Sequence, residues 1–264
     1  MELLRLRTEA KEGEKGMNIL IACEESQRVC AAFRGRGHEA YSCDIQKPSG
    51  GHPEWHILGD VLEVLNPKFY KDIHGFVEFG IQFDTMDDVQ HIVKRWDLII
   101  AHPPCTYLTN VATRHHSIKF TPLEKINRRT EQRIESMSFF MRFVNADCDK
   151  IAIENPVGVM NTCYRKPDQI IHPYMFAESE DDTDNYVTKA TCLWLKNLPP
   201  LVTNSLQKPN NREIFGVMPS GKAKTWEDST SRSGGAEKAR SKTFYGVAKA
   251  FAEQWGSDDE SQSD

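Results

Sequence analysis

Apolar and polar positions along the first half of the chain alternate between short apolar runs and segments with helical spacing. Met17–Cys23 (MNILIAC) is an apolar run of strand length. Ser26–Arg36 follows with Val29, Ala32 and Phe33 at helical spacing, and Gly35 and Gly37 act as stop signals. Glu39–Ile45 reads as a second strand ending at Asp44. Trp55–Asp60 reads as a short third strand, after a loop over 48–53 punctuated by glycine and proline. Residues 66–83 show no regular period, and Asp84–Arg95 reads as a helix leading into the strand Trp96–Ala101. Leu123–Asn145 predicts a long amphipathic helix with Ile134, Met137, Phe140, Met141 and Val144 on one face, before a strand over Ile151–Ile153. From Val157 to Arg240 the periodicity weakens, with Thr191–Leu195 as a candidate strand, and Ser241–Trp255 closes the pattern as an amphipathic helix. Alternating strand and helix signals predict an α/β fold with a mostly parallel sheet flanked by helices.

This pattern divides the chain into a flexible N-terminal extension (1–16), a catalytic and cofactor-binding α/β domain (17–160) and a small loop-rich region (161–240). A helix returning to the domain (241–255) and a disordered acidic tail (256–264) complete it. At 264 residues, 39% hydrophobic and 27% charged, the composition is that of a globular domain, and no apolar run of membrane-spanning length occurs. The charged start lacks the apolar core of a secretory signal. The seven cysteines include no CxxC pair, so reduced thiols, a cytoplasmic location and a monomer are expected. His102, Cys105, His115 and His116 match no familiar zinc spacing, and no metal is expected.

The net charge of −5 conceals a segregation of sign. Acids cluster at 178–184 and in the tail. Residues 114–133 carry Arg114, Lys119, Lys125, Arg128, Arg129 and Arg133 against two acids, and residues 205–242 carry eight cations against four. Such patches suit a phosphate backbone, or else are solvated charged faces.

Two apolar runs end abruptly in reactive groups. Trp96–Ala101 runs into His102-Pro103-Pro104-Cys105, and Ile151–Ile153 into Glu154-Asn155-Pro156. A buried parallel strand delivers side chains to the sheet's carboxyl edge in this way, so a thiol and a carboxyl are expected on neighbouring strand ends. The first strand-to-helix turn, Cys23-Glu24-Glu25-Ser26-Gln27, has no glycine and is a poor pyrophosphate cradle. Glu24 or Glu25 would suit a cationic ligand. Asp44 lies where a carboxylate can accept from ribose hydroxyls, and Asp60 where one can accept from an adenine amino group; alternatively, each acid caps the helix that follows it.

The Pro-Pro-Cys and Glu-Asn-Pro pair resembles the nucleophile and Glu-Asn motifs of DNA cytosine-5 methyltransferases, most similarly the compact, often phage-encoded members. Residues 17–60 match the cofactor half in layout, and Thr243-Phe244-Tyr245-Gly246-Val247-Ala248 resembles the segment that completes the cofactor pocket. The resemblance implies a Rossmann-like S-adenosylmethionine-dependent methyltransferase fold. It implies Cys105 as the thiolate that attacks cytosine C6, Glu154 as the partner of N3, and Asn155 and Pro104 as shapers of the loop. It also implies S-adenosyl-L-methionine held by Cys23, Glu24, Glu25, Ser26, Asp44, Ile45, Asp60, Val61, Pro103, Thr243 and Gly246. DNA, with the target cytosine flipped out of the stack, would be gripped by Arg114, Arg128, Arg129 and Arg133. The family's Gln-x-Arg motif is absent, and Arg212 or Arg232 would have to replace it. Only about 85 residues follow Pro156 before the last helix, which implies short or weak site recognition. The alternatives are a same-fold pyrimidine-modifying enzyme acting on free nucleotides or using a modified cofactor, and a degenerate non-catalytic DNA-binding relative. An exocyclic-amine methyltransferase is disfavoured because Cys105 stands where an aromatic would stack the base.

Overall fold

The computed structural model describes residues 16–72, 74–109, 119, 121–229 and 241–257. Apart from Gly16, the expected N-terminal extension lies outside these residues, as do the tail beyond Ser257, His115, His116, Arg114 and Arg232. The backbone alternates β1 (Asn18–Ala22), α1 (Arg28–Arg34), β2 (Glu39–Asp44) and β3 (His56–Leu58), as the hydrophobic pattern predicts. Three further strands follow: β4 (Lys68–Lys71), β5 (Val77–Asp84) and β6 (Gln90–Val93). Then come β7 (Leu98–Ala101), α2 (Leu123–Val144), β8 (Lys150–Pro156), α3 (Met160–Cys163), β9 (Gln169–Ile171) and β10 (Thr191–Lys196). The short helices α4 (Asn211–Phe215) and α5 (Trp226–Ser229) precede the last helix, α6 (Tyr245–Trp255).

Seven strands form one sheet in the order β3-β2-β1-β7-β8-β10-β9, and all neighbours are parallel except the pairs that β10 makes. The chain winds outward from β1 through β2 to β3, then returns to the other side of β1 as β7. That reversal opens a crevice at the carboxyl ends of β1 and β7, the place where open α/β sheets bind ligands. Strand parity sorts the core. Leu98 and Ile100 of β7 face Val29, Phe33, Phe251 and Trp255 of α1 and α6, while Ile99 and Ala101 face Phe140 and Phe143 of α2. Each of the larger side chains, Ala101 aside, contributes roughly 1.5–3 kcal/mol when fully buried.

Three expectations need correction. The region 66–83 is not irregular, and 84–95 is not a helix. Both belong to an antiparallel sheet, β4-β5-β6. Met86, Val89 and Val93 imitate a helical period, but Asp88 sits at φ 61° and the Thr85 N–H donates to the Val89 carbonyl at 3.0 Å, closing a turn. Phe69, Val77 and Phe79 are exposed on this small sheet, so its strands lack the in–out alternation that marks a half-buried strand. Second, only the C-terminal third of α2 packs on the sheet: Phe140 and Phe143 are buried, whereas Ile134 is exposed. Third, the main sheet continues past residue 160. β10 inserts beside β8, pairing Leu193 with Glu154 and Cys192 with Asn155, and β9 follows it. Among the described residues no helix is long and apolar enough to cross a membrane.

Candidate active site

The register between β7 and β8 pairs Ala101 with Ile153, so the next residue of each strand meets at the carboxyl edge. There His102 Nδ1 lies 2.8 Å from Glu154 Oε2, with side chains only 10% and 16% exposed. One residue further, on the opposite face of the sheet, the Asn155 side-chain amide donates to the Pro103 carbonyl at 2.7 Å. The loop beyond the prolines is pinned at three points. Leu108 and Thr109 N–H groups donate to the Cys105 carbonyl at 2.9 and 3.0 Å, and the Val159 N–H donates to the Leu108 carbonyl at 2.8 Å. Arg133 Nε donates to the Tyr107 carbonyl at 2.9 Å. Gly158 allows the second of these contacts, because a Cβ there would run into the Leu108 carbonyl. Cys105 and Pro104 are exposed at the end of this fixed frame while Pro103 is buried, so the thiol is presented outward without a flexible backbone.

Glu154 is not a lone carboxylate: its Oε2 is engaged by His102. Burial alone would raise its pKa. The hydrogen bond and charge of His102, the charge of Lys189 and a hydrogen bond from Thr191 outweigh burial and hold the carboxyl below its usual range. Burial likewise opposes the imidazolium of His102, but Glu154 and the charge of Glu24 win, and its pKa is raised. His102 Nε2 is buried without a hydrogen-bond partner. The sequence offers His102 only as a zinc ligand. Its place directly between a strand end and Pro-Pro-Cys is the signal that marks it as part of the site. Thr243 joins the same locality: with Glu154, Lys189, Thr191 and Phe244 it lines a small hollow, and its carbonyl accepts from Arg28 of α1 at 2.8 Å.

On the other side of the crevice, Cys23 and Gln27 bracket the first turn at φ 60° and 58°, a left-handed conformation that costs such residues about 1–3 kcal/mol. Between them Glu24 turns inward. Its carboxylate accepts from the backbone N–H groups of Val29 at 2.7 Å and Cys30 at 3.2 Å, and from the Ser26 hydroxyl at 3.3 Å. Glu24 is therefore the internal cap of α1 and not a contact for a cationic ligand. Asp44, half-buried, accepts from Gln46 N–H at 2.8 Å, and beside it Ile45 is 79% exposed. Asp60 accepts from Leu62 N–H at 3.0 Å, capping a short 3-10 turn whose first residue, Val61, is buried. Burial, with the charges of Asp44 and Asp60, raises the thiol pKa of Cys23 and pushes that of Cys43 up to about 12, so neither is a nucleophile.

This donor set discriminates between cofactors. A dinucleotide places its pyrophosphate on the N–H groups of the first helix, and here Glu24 already occupies them with a carboxylate. A nucleoside without phosphates meets no such conflict. Asp44 and the exposed Ile45 offer it a carboxylate and an apolar face at the end of β2, with Asp60 at the end of the neighbouring β3.

Gly246 is not placed as a ligand contact. Its N–H donates to Asn185 Oδ1 at 2.9 Å, and a Cβ would stand 2.5 Å from the Phe176 carbonyl, so it is a close-packing residue. Arg212 donates to the Gly221 carbonyl at 3.0 Å within its own loop. Arg128 and Arg129 lie with Lys125 on the exposed part of α2, next to Tyr107. No protein-family model matches the chain, and a search of curated proteins finds no relative that matches it.

Proposed function

We propose that the protein is an S-adenosylmethionine-dependent DNA cytosine-5 methyltransferase with a Rossmann-like methyltransferase fold. The observation that carries this reading is the exposed Cys105 thiol on a pinned Pro-Pro loop at the end of β7, beside the strand bearing Glu154 and Asn155. The blocked N-terminus of α1 supports a cofactor without phosphates, with Asp44, Ile45, Asp60 and Thr243 as the residues that would hold it.

In this reading Cys105 acts as a thiolate. Its sulfur bonds to cytosine C6, and the C5–C6 π pair moves into the ring and makes C5 nucleophilic. Glu154 passes to N3 the proton that the His102–Glu154 pair holds, as the ring takes up the thiolate's electron pair, and the pair recovers that proton when the adduct collapses. Asn155 positions the loop through Pro103 and does not touch the base. S-adenosylmethionine, when bound, supplies the electrophilic methyl group. Afterwards a base takes the C5 proton, the S–C6 bond breaks, and the thiolate returns.

The test is mass spectrometry of nucleosides from mixed-sequence DNA incubated with protein and S-adenosylmethionine. The expected product is 5-methylcytosine. Cys105→Ala should lower its yield at least about 10³-fold with no change in unfolding midpoint, because the side chain is exposed. Unmodified cytosine in both duplex and single-stranded DNA, from folded protein that binds the cofactor, would overturn the reading.

A further inference from the structure

The small antiparallel sheet carries an apolar stripe that the fold covers only halfway. Side chains alternate along a strand, so β5 lays Val77, Phe79, Ile81 and Phe83 on one face. Ile81 and Phe83 are buried in the core, where the Phe83 ring meets Tyr41 at 4.9 Å and Trp96 at 5.5 Å. Val77 and Phe79 continue the stripe beyond that cover. Across the ladder Phe69 of β4 pairs with Phe79, their ring centroids 5.0 Å apart, and Lys71 pairs with Val77. Phe76 stands at the tip, in a closed turn: its N–H donates to Asp72 Oδ1 at 2.7 Å and its carbonyl accepts from the Asp72 N–H at 2.9 Å. Phe69, Phe76, Val77 and Phe79 are 55–75% exposed. Together they leave roughly 500 Å² of apolar surface bare, near the top of what a lone protein shows. The other face of the hairpin, with Lys68, Tyr70 and Glu78, already supplies a polar side to water. The bare face is therefore the one that the rest of the strand buries. The hairpin springs from the amino edge of the main sheet: β6 leads into the start of β7, and Asn66, just before β4, accepts from the Asp147 N–H ahead of β8. Cys105 follows the opposite end of β7.

We infer that the β4–β5 face is the contact of a symmetric dimer, and that its occupant is the same face of a second copy. The charges of the hairpin balance, Lys68 and Lys71 against Asp72 and Glu78, so nothing in it selects a polyanion or an oppositely charged protein. Two copies stacked face to face remove about 1,000 Å² from water, the size at which specific interfaces begin. A two-fold axis brings one patch to both partners, so aromatic meets aromatic and no second surface is needed. Edge pairing is disfavoured. Antiparallel pairing of β4 with its own copy would set Lys68 of one chain against Lys71 of the other, like charges directly opposed. The contact is therefore made by side chains of the face. It replaces the monomer expected from the sequence and leaves the crevice at Cys105 open.

Sedimentation velocity of the full-length protein, from about 1 to about 200 μM, tests this. The expected result is a reversible rise to twice the monomer mass with a micromolar Kd, as suits an interface at the small end of the range. Phe69→Asp and Phe76→Asp should each raise Kd about 100-fold, because each removes an aromatic anchor from both sides of the contact. Ile92→Asp is the control. Ile92 is similarly exposed but pairs with Gln82 on the opposite face of the same sheet, and its loss should leave Kd within about twofold. All three side chains are exposed, so the urea unfolding midpoint of the monomer should stay in place. Should Phe69→Asp loosen the hairpin by breaking the pair with Phe79, Phe76→Asp at the tip repeats the test with that pair intact. A monomer at every concentration, whether residues 1–15 of the chain or a foreign protein covers the face, overturns the inference. So does a dimer that survives both phenylalanine variants, or one that Ile92→Asp weakens as much. Association is read without turnover, so absent methylation would reject the proposed reaction and leave the dimer standing.

Discussion

Glu24 in the β1–α1 turn and Glu154 at the end of β8 flank one imidazole, yet their acidities move in opposite directions. Glu24 is buried among backbone N–H groups, and burial dominates, raising its pKa even though the Val29 and Cys30 bonds and the charge of His102 work against it. Glu154 is also largely buried, but the direct 2.8 Å contact with His102 reverses the shift. Burial penalises any charge, whereas a cation within hydrogen-bond reach can repay it. The difference assigns the roles. Glu24 is built-in filling for the helix terminus, and Glu154 is a carboxylate held ready in a crevice.

The sharpest way to break this comparison is to remove the cationic partner's anion. Glu154→Gln leaves a protonated, buried imidazole unpaired. Such a loss costs about 3–5 kcal/mol, and the low end is expected because His102 can release its proton. Urea unfolding should show this, together with loss of 5-methylcytosine formation. A stability change below about 0.5 kcal/mol would mean the pair does not exist in solution.

The second test is its pH dependence. Glu154 has a lowered pKa, so its contribution is present above the ordinary value of 4.5 and is lost as pH falls through its folded pKa. His102 has a raised pKa, so its contribution is complete below the ordinary value of 6.5 and is lost as pH rises through its folded pKa. The stability gap between wild type and Glu154→Gln should therefore be widest between pH 4.5 and 6.5 and shrink on both sides.

Smaller effects are expected at the other carboxyl. Glu24→Ala uncaps α1 and should cost about 1–2 kcal/mol. Glu24→Gln keeps one acceptor oxygen without a buried charge, and should cost less than about 1 kcal/mol. If Glu24→Gln matched Glu154→Gln, the two carboxyls would not differ as described. The smallest stability change belongs to Asp44→Asn, half-buried at the end of β2. It should leave the unfolding midpoint in place while weakening S-adenosylmethionine binding about tenfold by calorimetry.

Local pattern carried the elements whose burial follows a simple period. The apolar runs of β1, β2 and β7, the α1 and α6 faces, and the adjoining carboxyl ends of β7 and β8 were all legible, because short apolar runs bounded by turn residues mark buried parallel strands. Three things were decided by the tertiary structure. The β4-β5-β6 sheet exposes half of its apolar residues, so its sequence imitates a loop and a helix. β10 enters the main sheet because its Cys192 and Leu193 fit beside Asn155 and Glu154, a pairing across more than thirty residues that no local period records. The partner of each carboxyl was likewise a matter of three-dimensional neighbours. Glu24 and Glu154 look alike as strand-end acids, and only packing gave one to the N–H groups of α1 and the other to His102. Charge state follows from what lies within 3 Å, and that distance is set by the fold.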